Sequence, residues 1–189
     1  MLNISTPITE KHSYNNFSME EKSPIGKINV RGNLDNKEFV STVRKILGII
    51  LPKESCSTSI KEKITSLWLG PNEWLIVSNE EMHKEMNIYE LEHVLFDNIS
   101  KTNLGSVTNV TDQFTTFTLS GSNIFKILSK SCPFDFDSDK FGDNKVVQTI
   151  LNHIDVTIHK KNETNIDLYV RRSFADHLWQ WLKDSANLI

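Results

Sequence analysis

Leu67-Trp68-Leu69-Gly70-Pro71-Asn72-Glu73-Trp74-Leu75-Ile76-Val77 places two short apolar runs on either side of Gly-Pro-Asn. Gly and Pro are strong turn formers, and flanking runs rich in Trp, Leu, Ile and Val favour strands. The stretch predicts a β-hairpin. Upstream, Ile28 and Val30 alternate within 27–31, which reads as a strand. Gly32-Asn33 then turns the chain, and Asp35 with Glu38 resembles a capping box at a helix start. Phe39, Val40, Val43, Ile46, Leu47 and Ile50 follow at helical spacing, and Pro52 ends the helix. Residues 53–63 are polar and read as a loop. Beyond the hairpin, 80–99 reads as a helix with Met82, Met86, Leu91 and Leu95 turned inward. The first half is therefore strand, helix, strand, strand, helix.

The second half nearly repeats that order. Residues 107–119, rich in Thr, Val and Phe, predict one long strand. Gly121-Ser122 opens a helix bearing Ile124, Phe125 and Leu128, and Cys132-Pro133 closes it. A loop covers 135–144, and strands follow at 146–151, 154–159 and 166–170. Ser173 with Asp176 resembles another cap, leading into a helix whose apolar stripe is Phe174, Leu178, Trp181 and Leu182. The expected fold class is α+β, with two tandem ferredoxin-like lobes of βαββα type and antiparallel sheets. Residues 1–22 are polar and aperiodic, and are expected to be a flexible lead-in or an arm that orders only on a partner. The lobes are expected at 23–104 and 105–189.

The bulk properties exclude several function classes. The chain has 189 residues and a formal net charge of −3, without the basic surface that neutralises phosphates in nucleic-acid binding. Cys56 and Cys132 are too few and too far apart for a disulfide framework and fit a reducing, cytoplasmic setting. The N-terminal stretch has no apolar core of a signal peptide. The most apolar run, 46–51, is far shorter than the ~20 residues of a membrane span.

Catalytic signatures are equally scarce. The glycines at 26, 32, 48, 70, 105, 121 and 142 are never two apart, so no G-x-G-x-x-G loop exists. The histidines at 12, 83, 93, 153, 159 and 177 form no H-E-x-x-H and lack zinc spacing with the cysteines. Asp135, Asp137 and Asp139 match the start of an EF-hand loop, but Lys140 and Val146 stand where Gly and a bidentate Glu are needed. A solvated acidic turn is the better reading, and no metal site is expected. The tryptophans carry more information. Trp68 and Trp74 flank the tight turn, while Trp179 and Trp181 lie on the last helix, about 200° apart around its axis. Trp181 fits the core stripe and Trp179 is lateral. Either these tryptophans form a broad buried face, or Trp68, Trp74 and Trp179 with Arg171 and Arg172 form a partner surface, since aromatic residues and Arg are enriched at interface centres.

Several segments in series resemble the gamma subunit of heterotetrameric sarcosine oxidases. They are Val30-Arg31-Gly32-Asn33; Leu67 through Leu75 of the hairpin; Leu119-Ser120-Gly121; Ser131-Cys132-Pro133-Phe134-Asp135; Gln148-Thr149; and Leu168-Tyr169-Val170-Arg171-Arg172-Ser173-Phe174 with Leu178-Trp179-Gln180-Trp181-Leu182. The resemblance implies a fold like the folate-binding domain of aminomethyltransferases. It implies a subunit of a complex that oxidatively demethylates sarcosine to glycine, yielding peroxide and formaldehyde or methylene-tetrahydrofolate. Alpha, beta and delta subunits are the implied partners, and FAD, FMN, NAD, zinc and tetrahydrofolate are implied to sit on those other subunits. This chain is then expected to be structural, inactive alone and without a bound cofactor. The alternative is a stand-alone tetrahydrofolate-binding module or one-carbon transferase. That activity needs a carboxylate in a cleft to pair with the pterin ring. Glu73 and Asp112 are the candidates, although Glu73 equally suits a turn cap and Asp112 a solvated strand face.

Overall fold

The computed structural model describes residues 6–22, 24–81, 88–137 and 141–188. In chain order the strands and helices are β1 (Lys11–Tyr14), β2 (Phe17–Glu21), β3 (Ile25–Gly32), α1 (Lys37–Leu47), β4 (Thr58–Lys61), β5 (Ile64–Gly70), β6 (Glu73–Glu81) and α2 (Ile88–Leu95). Then come β7 (Gly105–Asn109), β8 (Phe114–Ser120), α3 (Ile124–Leu128), β9 (Lys145–Leu151), β10 (Ile154–Asn162), β11 (Asn165–Arg171) and α4 (Ala175–Asn187). A π-helical turn, Phe96–Ser100, extends α2. No helix among the described residues is long and apolar enough to cross a membrane.

The chain divides into two compact units, each α+β with one antiparallel sheet. The central unit runs from Ile25 to Thr111, and the other combines the residues up to Pro24 with those from Asp112 onward. Strand order in the central sheet is β4-β5-β6-β3-β7. In the other sheet it is β1-β2-β8-β11-β10-β9. These orders correspond. In each, the strand that precedes the first helix (β3 or β8) lies inside the sheet, paired with the second strand of a hairpin (β6 or β11). The remaining neighbour of that inner strand is β7 in the central unit and β2, from the opposite end of the chain, in the other.

In the central unit the hairpin forms as its sequence predicts: β5 pairs with β6 from Ile64↔Ser78 to Trp68↔Trp74, with a register shift between Trp68 and Gly70. One face of the sheet presents Ile28, Val30, Trp74, Ile76 and Val107 to Phe39, Val43 and Leu47 of α1 and to Leu95 and Ile99. Helix α1 starts one residue later than the sequence suggests. Asn36, not Asp35, is its cap, and the Asn36 side chain accepts hydrogen bonds from the backbone N–H groups of Glu38 and Phe39. Gly32 is required where β3 meets α1, since a Cβ there would lie 2.3 Å from the Phe39 ring. Part of the expected 53–63 loop is strand β4.

The expected helix over 80–99 is shorter. Strand β6 runs through Glu81, and α2 begins at Ile88. Met82 and Met86 lie outside the described residues, whereas Leu95 is buried as expected and Leu91 packs against the core.

The single strand expected over 107–119 is two strands in two different sheets. A 3-10 turn at Thr111–Gln113 separates them. The Asn109 side-chain oxygen accepts from the N–H of Thr111, and the Thr111 hydroxyl accepts from the N–H of Lys27, which fixes the break. The boundary expected at 104/105 therefore falls between Thr111 and Asp112.

The lead-in expected at 1–22 also differs. Residues 11–21 form a hairpin whose second strand pairs with β8, from Ser18↔Ser120 to Glu21↔Phe117. Phe17 and Met19 enter the core beside Phe117 and Leu119 on β8, Ile127 and Leu128 on α3, and Leu178 and Leu182 on α4. Gly121 permits this close approach. Its φ is 118°, and a Cβ would lie 2.2 Å from the carbonyl oxygen of Asn16. The Ser173 cap is corrected as well. Arg172–Phe174 is a 3-10 turn, and α4 starts after Phe174 with no side-chain capping bond.

Candidate functional site

Strand alternation sorts the side chains of β11. Ile166, Leu168 and Val170 enter the helix-covered core, and Asp167 and Tyr169 take the opposite face. Register places Asp167 between Thr118 and His159, and Tyr169 between Thr116 and Thr157. The Thr118 hydroxyl donates to Asp167 Oδ1 at 3.0 Å. Lys161 and Lys22 reach Asp167 Oδ2 at 2.8 and 3.5 Å. The result is a buried carboxylate on the sheet surface held by two ammonium groups and one hydroxyl.

Burial pushes the Asp167 pKa up, but Lys22 and Lys161 with the two hydrogen bonds outweigh it and hold the carboxyl below its ordinary value. Tyr169 is 2% exposed. Its phenol is pushed well above the ordinary range by burial first and then by Asp167, so it stays neutral. His159 is 3% exposed, and its Nε2 has no hydrogen-bond partner among the described residues. Burial lowers its pKa to about 4; Asp167 pulls it back only partly, and Lys161 and Lys22 push it further down.

A neutral, buried imidazole and a fully paired carboxylate are poor acid–base catalysts, because neither exchanges a proton with a substrate without losing its environment. They are consequential for stability instead. Unfolded His159 takes up its proton near 6.5, while the folded form resists until about 4. The unfolded state therefore binds more protons in this window, and stability falls as pH falls through it. A loss of about 2–3 kcal/mol between pH 7 and 4.5 is expected from this group. Asp167, whose folded pKa is depressed, adds its own loss only below its unfolded value of 3.8. Urea unfolding at both pH values checks this: the His159→Gln chain should lose most of the slope, and an equal slope in both proteins contradicts the assignment.

The residues singled out from the sequence are divided between the two units. Glu73 lies at the start of β6 in the central unit and has both oxygens engaged. Asn29 Nδ2 donates to Oε1 at 2.7 Å and Arg31 to Oε2 at 2.6 Å. It ties β3 to β6 across the sheet and does not cap the turn. Asp112 is exposed on the 3-10 turn in the other unit. Glu73 thus spends both oxygens within the central sheet, and Asp112 lies on an exposed turn.

Two of the interface candidates are core residues. Trp74 is 0% exposed and donates its indole N–H to the Pro52 carbonyl at 2.8 Å. Trp179 is 1% exposed and stacks at a tilt on Phe117, with centroids 5.1 Å apart. Burial within the chain leaves them no area to offer a partner. The stripe of α4 is Ala175, Leu178, Trp179, Leu182 and Ala186, whereas Trp181 is the partly buried neighbour and Phe174 is 47% exposed. The later start of α4 rotates Phe174 off the stripe. Trp68 is half-buried against the central core, Arg171 is exposed and Arg172 is half-buried. Periodicity alone places Phe174, next to these arginines, inward. Its place before the first helical turn was the signal for exposure.

Among the described residues, no group of three His, Cys, Asp or Glu side chains is arranged to hold a metal ion. Cys56 and Cys132 are free thiols.

Residues 31–187 match the model of the family described as sarcosine oxidase, gamma subunit. The sarcosine oxidase subunit gamma of Corynebacterium sp. strain P-1 is 32% identical over 121 residues, covering 64% of this chain and 56% of the relative. That of strain U-96 is 29% identical over 124 residues, covering 64% and 55%. The matched part thus spans little more than half the length of these relatives. Among solved structures, the heterotetrameric sarcosine oxidase from Corynebacterium sp. U-96 in complex with pyrrole 2-carboxylate contains a chain similar in fold. The TM-score is 0.80 at 24% identity, covering 90% of this chain and 84% of that one.

Proposed function

The chain belongs to the sarcosine oxidase gamma subunit family, and from that membership we propose that it is the structural, non-catalytic subunit of a heterotetrameric sarcosine oxidase. Such a complex demethylates sarcosine oxidatively to glycine in the cytoplasm, with peroxide and formaldehyde or methylene-tetrahydrofolate as the other products. Alpha, beta and delta subunits are its partners in this reading. FAD, FMN, NAD, zinc and tetrahydrofolate are assigned to those subunits. The family match over 31–187 carries the proposal. The internal pairing of Glu73 and of Asp167, and the burial of His159 as a neutral imidazole, support the non-catalytic part.

The fold reading goes with it. Leaving out β4 from the central sheet and β1 and β9 from the other, the strand orders support a reading of each as a 4-1-3-2 ferredoxin-like lobe, with β7 or β2 as the fourth strand. Two such lobes in one chain resemble the folate-binding domain of aminomethyltransferases, which makes folate binding the natural competitor. Partner contacts are assigned to the exposed Arg171 and Phe174 with Arg172, and to the half-buried Trp68.

The purified chain is expected to be colourless, to produce no peroxide from sarcosine and to give no heat with tetrahydrofolate in calorimetry. Stoichiometric flavin would contradict the structural role, and saturable folate binding would transfer the assignment to the competitor.

A further inference from the structure

In the central unit, Ile64, Ser66 and Trp68 alternate along β5 and share the face that packs against α1. Ser66 is 0% exposed, and its hydroxyl oxygen has no hydrogen-bond partner among the described residues. The same holds for the indole nitrogen of Trp68: Nε1 is buried and unpartnered there, although the residue as a whole is only half-buried. Two orphaned polar atoms thus stand on neighbouring positions of one face of one strand. Register adds a third polar group. Ser59 on β4 is the direct cross-strand partner of Ser66 and shares its face.

The other polar side chains of this region are engaged elsewhere. Trp74, opposite Trp68, donates its indole N–H to the Pro52 carbonyl, and the Ser57 hydroxyl donates to the Glu54 carbonyl. Buried polar atoms are nearly always satisfied by protein or by ordered water. An indole N–H only donates, whereas a hydroxyl both donates and accepts. A direct bond between Ser59 and Ser66 would satisfy the hydroxyls and still leave the Trp68 N–H orphaned. One water, accepting once and donating twice, satisfies all three groups, and about three hydrogen bonds is the usual number for a buried water. The short side chains of Ser59 and Ser66 stand beside Ile64, Trp68 and Ile76. That contrast in size leaves room for a group of about 30 Å³, the volume of a water molecule.

We infer that the central unit binds one ordered water here, which accepts from Trp68 Nε1–H and donates to the hydroxyl oxygens of Ser66 and Ser59. The water ties edge strand β4 to β5 and holds the polar edge of the indole inward, so that the exposed part of Trp68 is carbon. Two measurements on the full chain test the site. A crystal structure at about 1.6 Å resolution should show one spherical density peak about 3 Å from Trp68 Nε1 and from both hydroxyls. Urea unfolding of Ser66→Ala tests the sign. With a bridging water, the substitution strands the indole N–H, and the unfolding constant should rise about fivefold. A hydroxyl that is simply orphaned is better deleted, and the same substitution would then leave the constant unchanged or lower it. In the Trp68→Phe background, where the N–H is already gone, the effect of Ser66→Ala should shrink to less than about twofold. Three results would overturn the site: no density peak at this position; a Ser66→Ala chain as stable as the parent or more so; or an equal effect of Ser66→Ala in both backgrounds. None of these outcomes bears on assembly with other subunits.

Discussion

Deleting residues 1–21 should abolish the cooperative thermal transition of the chain or drive it into the insoluble fraction. The deletion removes Ile8, Phe17 and Met19, which are 7%, 3% and 1% exposed. Burying one such side chain contributes about 1.5–3 kcal/mol, so the three together contribute about 6 kcal/mol. That is comparable with the whole stability of an ordinary domain, about 5–15 kcal/mol. The deletion also strips β8 of its β2 partner from Ser18↔Ser120 to Glu21↔Phe117, leaving a Thr-rich strand edge open to pairing with other chains. The truncated chain is compared with the full chain by calorimetry and centrifugation. A truncated chain that stays soluble and melts within a few degrees of the full one would show that the hairpin is not part of the fold.

Trp74→Ala should destabilise the chain by about 4 kcal/mol, within the range for buried aromatic truncations. Trp74 is fully buried, 6.1 Å from the Phe39 ring centroid, where it fixes α1 against β6. Its replacement leaves a cavity and removes the hydrogen bond to the Pro52 carbonyl, whose loss adds about 1 kcal/mol. Trp74→Phe should recover most of the packing and lose the hydrogen bond, giving an intermediate value. Denaturant titration of the three proteins orders them; equal loss in both variants would mean that the indole N–H dominates and packing does not.

The central hairpin was legible because its turn chemistry and its strand propensity agree locally: Gly70-Pro71-Asn72 punctuates two runs that favour strands on any tertiary background. Helix α1 was legible for the same reason, with Phe39, Val43 and Leu47 at one-turn spacing and a cap within one residue of its expected place. The N-terminal hairpin was harder to read. Lys11–Tyr14 has few apolar residues, and it pairs with β2, which in turn pairs with β8 about a hundred residues away. Asn15-Asn16 followed by alternating Phe17 and Met19 was the local trace of it, with Asn16 in the left-handed region at φ 54°. The run over 107–119 is rich in strand formers, interrupted at Asn109 and Asp112, and the side-chain bonds of Asn109 and Thr111 help divide it between two sheets. The polar cluster was invisible for a related reason. His159 and Asp167 belong to different strands, and cross-strand register is what makes them neighbours. The burial of the aromatic candidates was half legible. Periodicity cannot distinguish Trp179 from Trp181 until the first turn of α4 is fixed, and that turn is set by the 3-10 segment at Arg172–Phe174.

The most direct test of the structural-subunit assignment is affinity purification of the tagged full chain from its own cells, with the co-purifying chains identified by mass spectrometry and the eluate assayed for sarcosine-dependent peroxide. The account predicts that flavin-bearing partner chains elute with this one and that the eluate is active. It also predicts that Arg171→Glu with Phe174→Ala reduces the yield of those partners while the chain itself remains folded. A chain that elutes alone, with no peroxide formed from sarcosine, would contradict it.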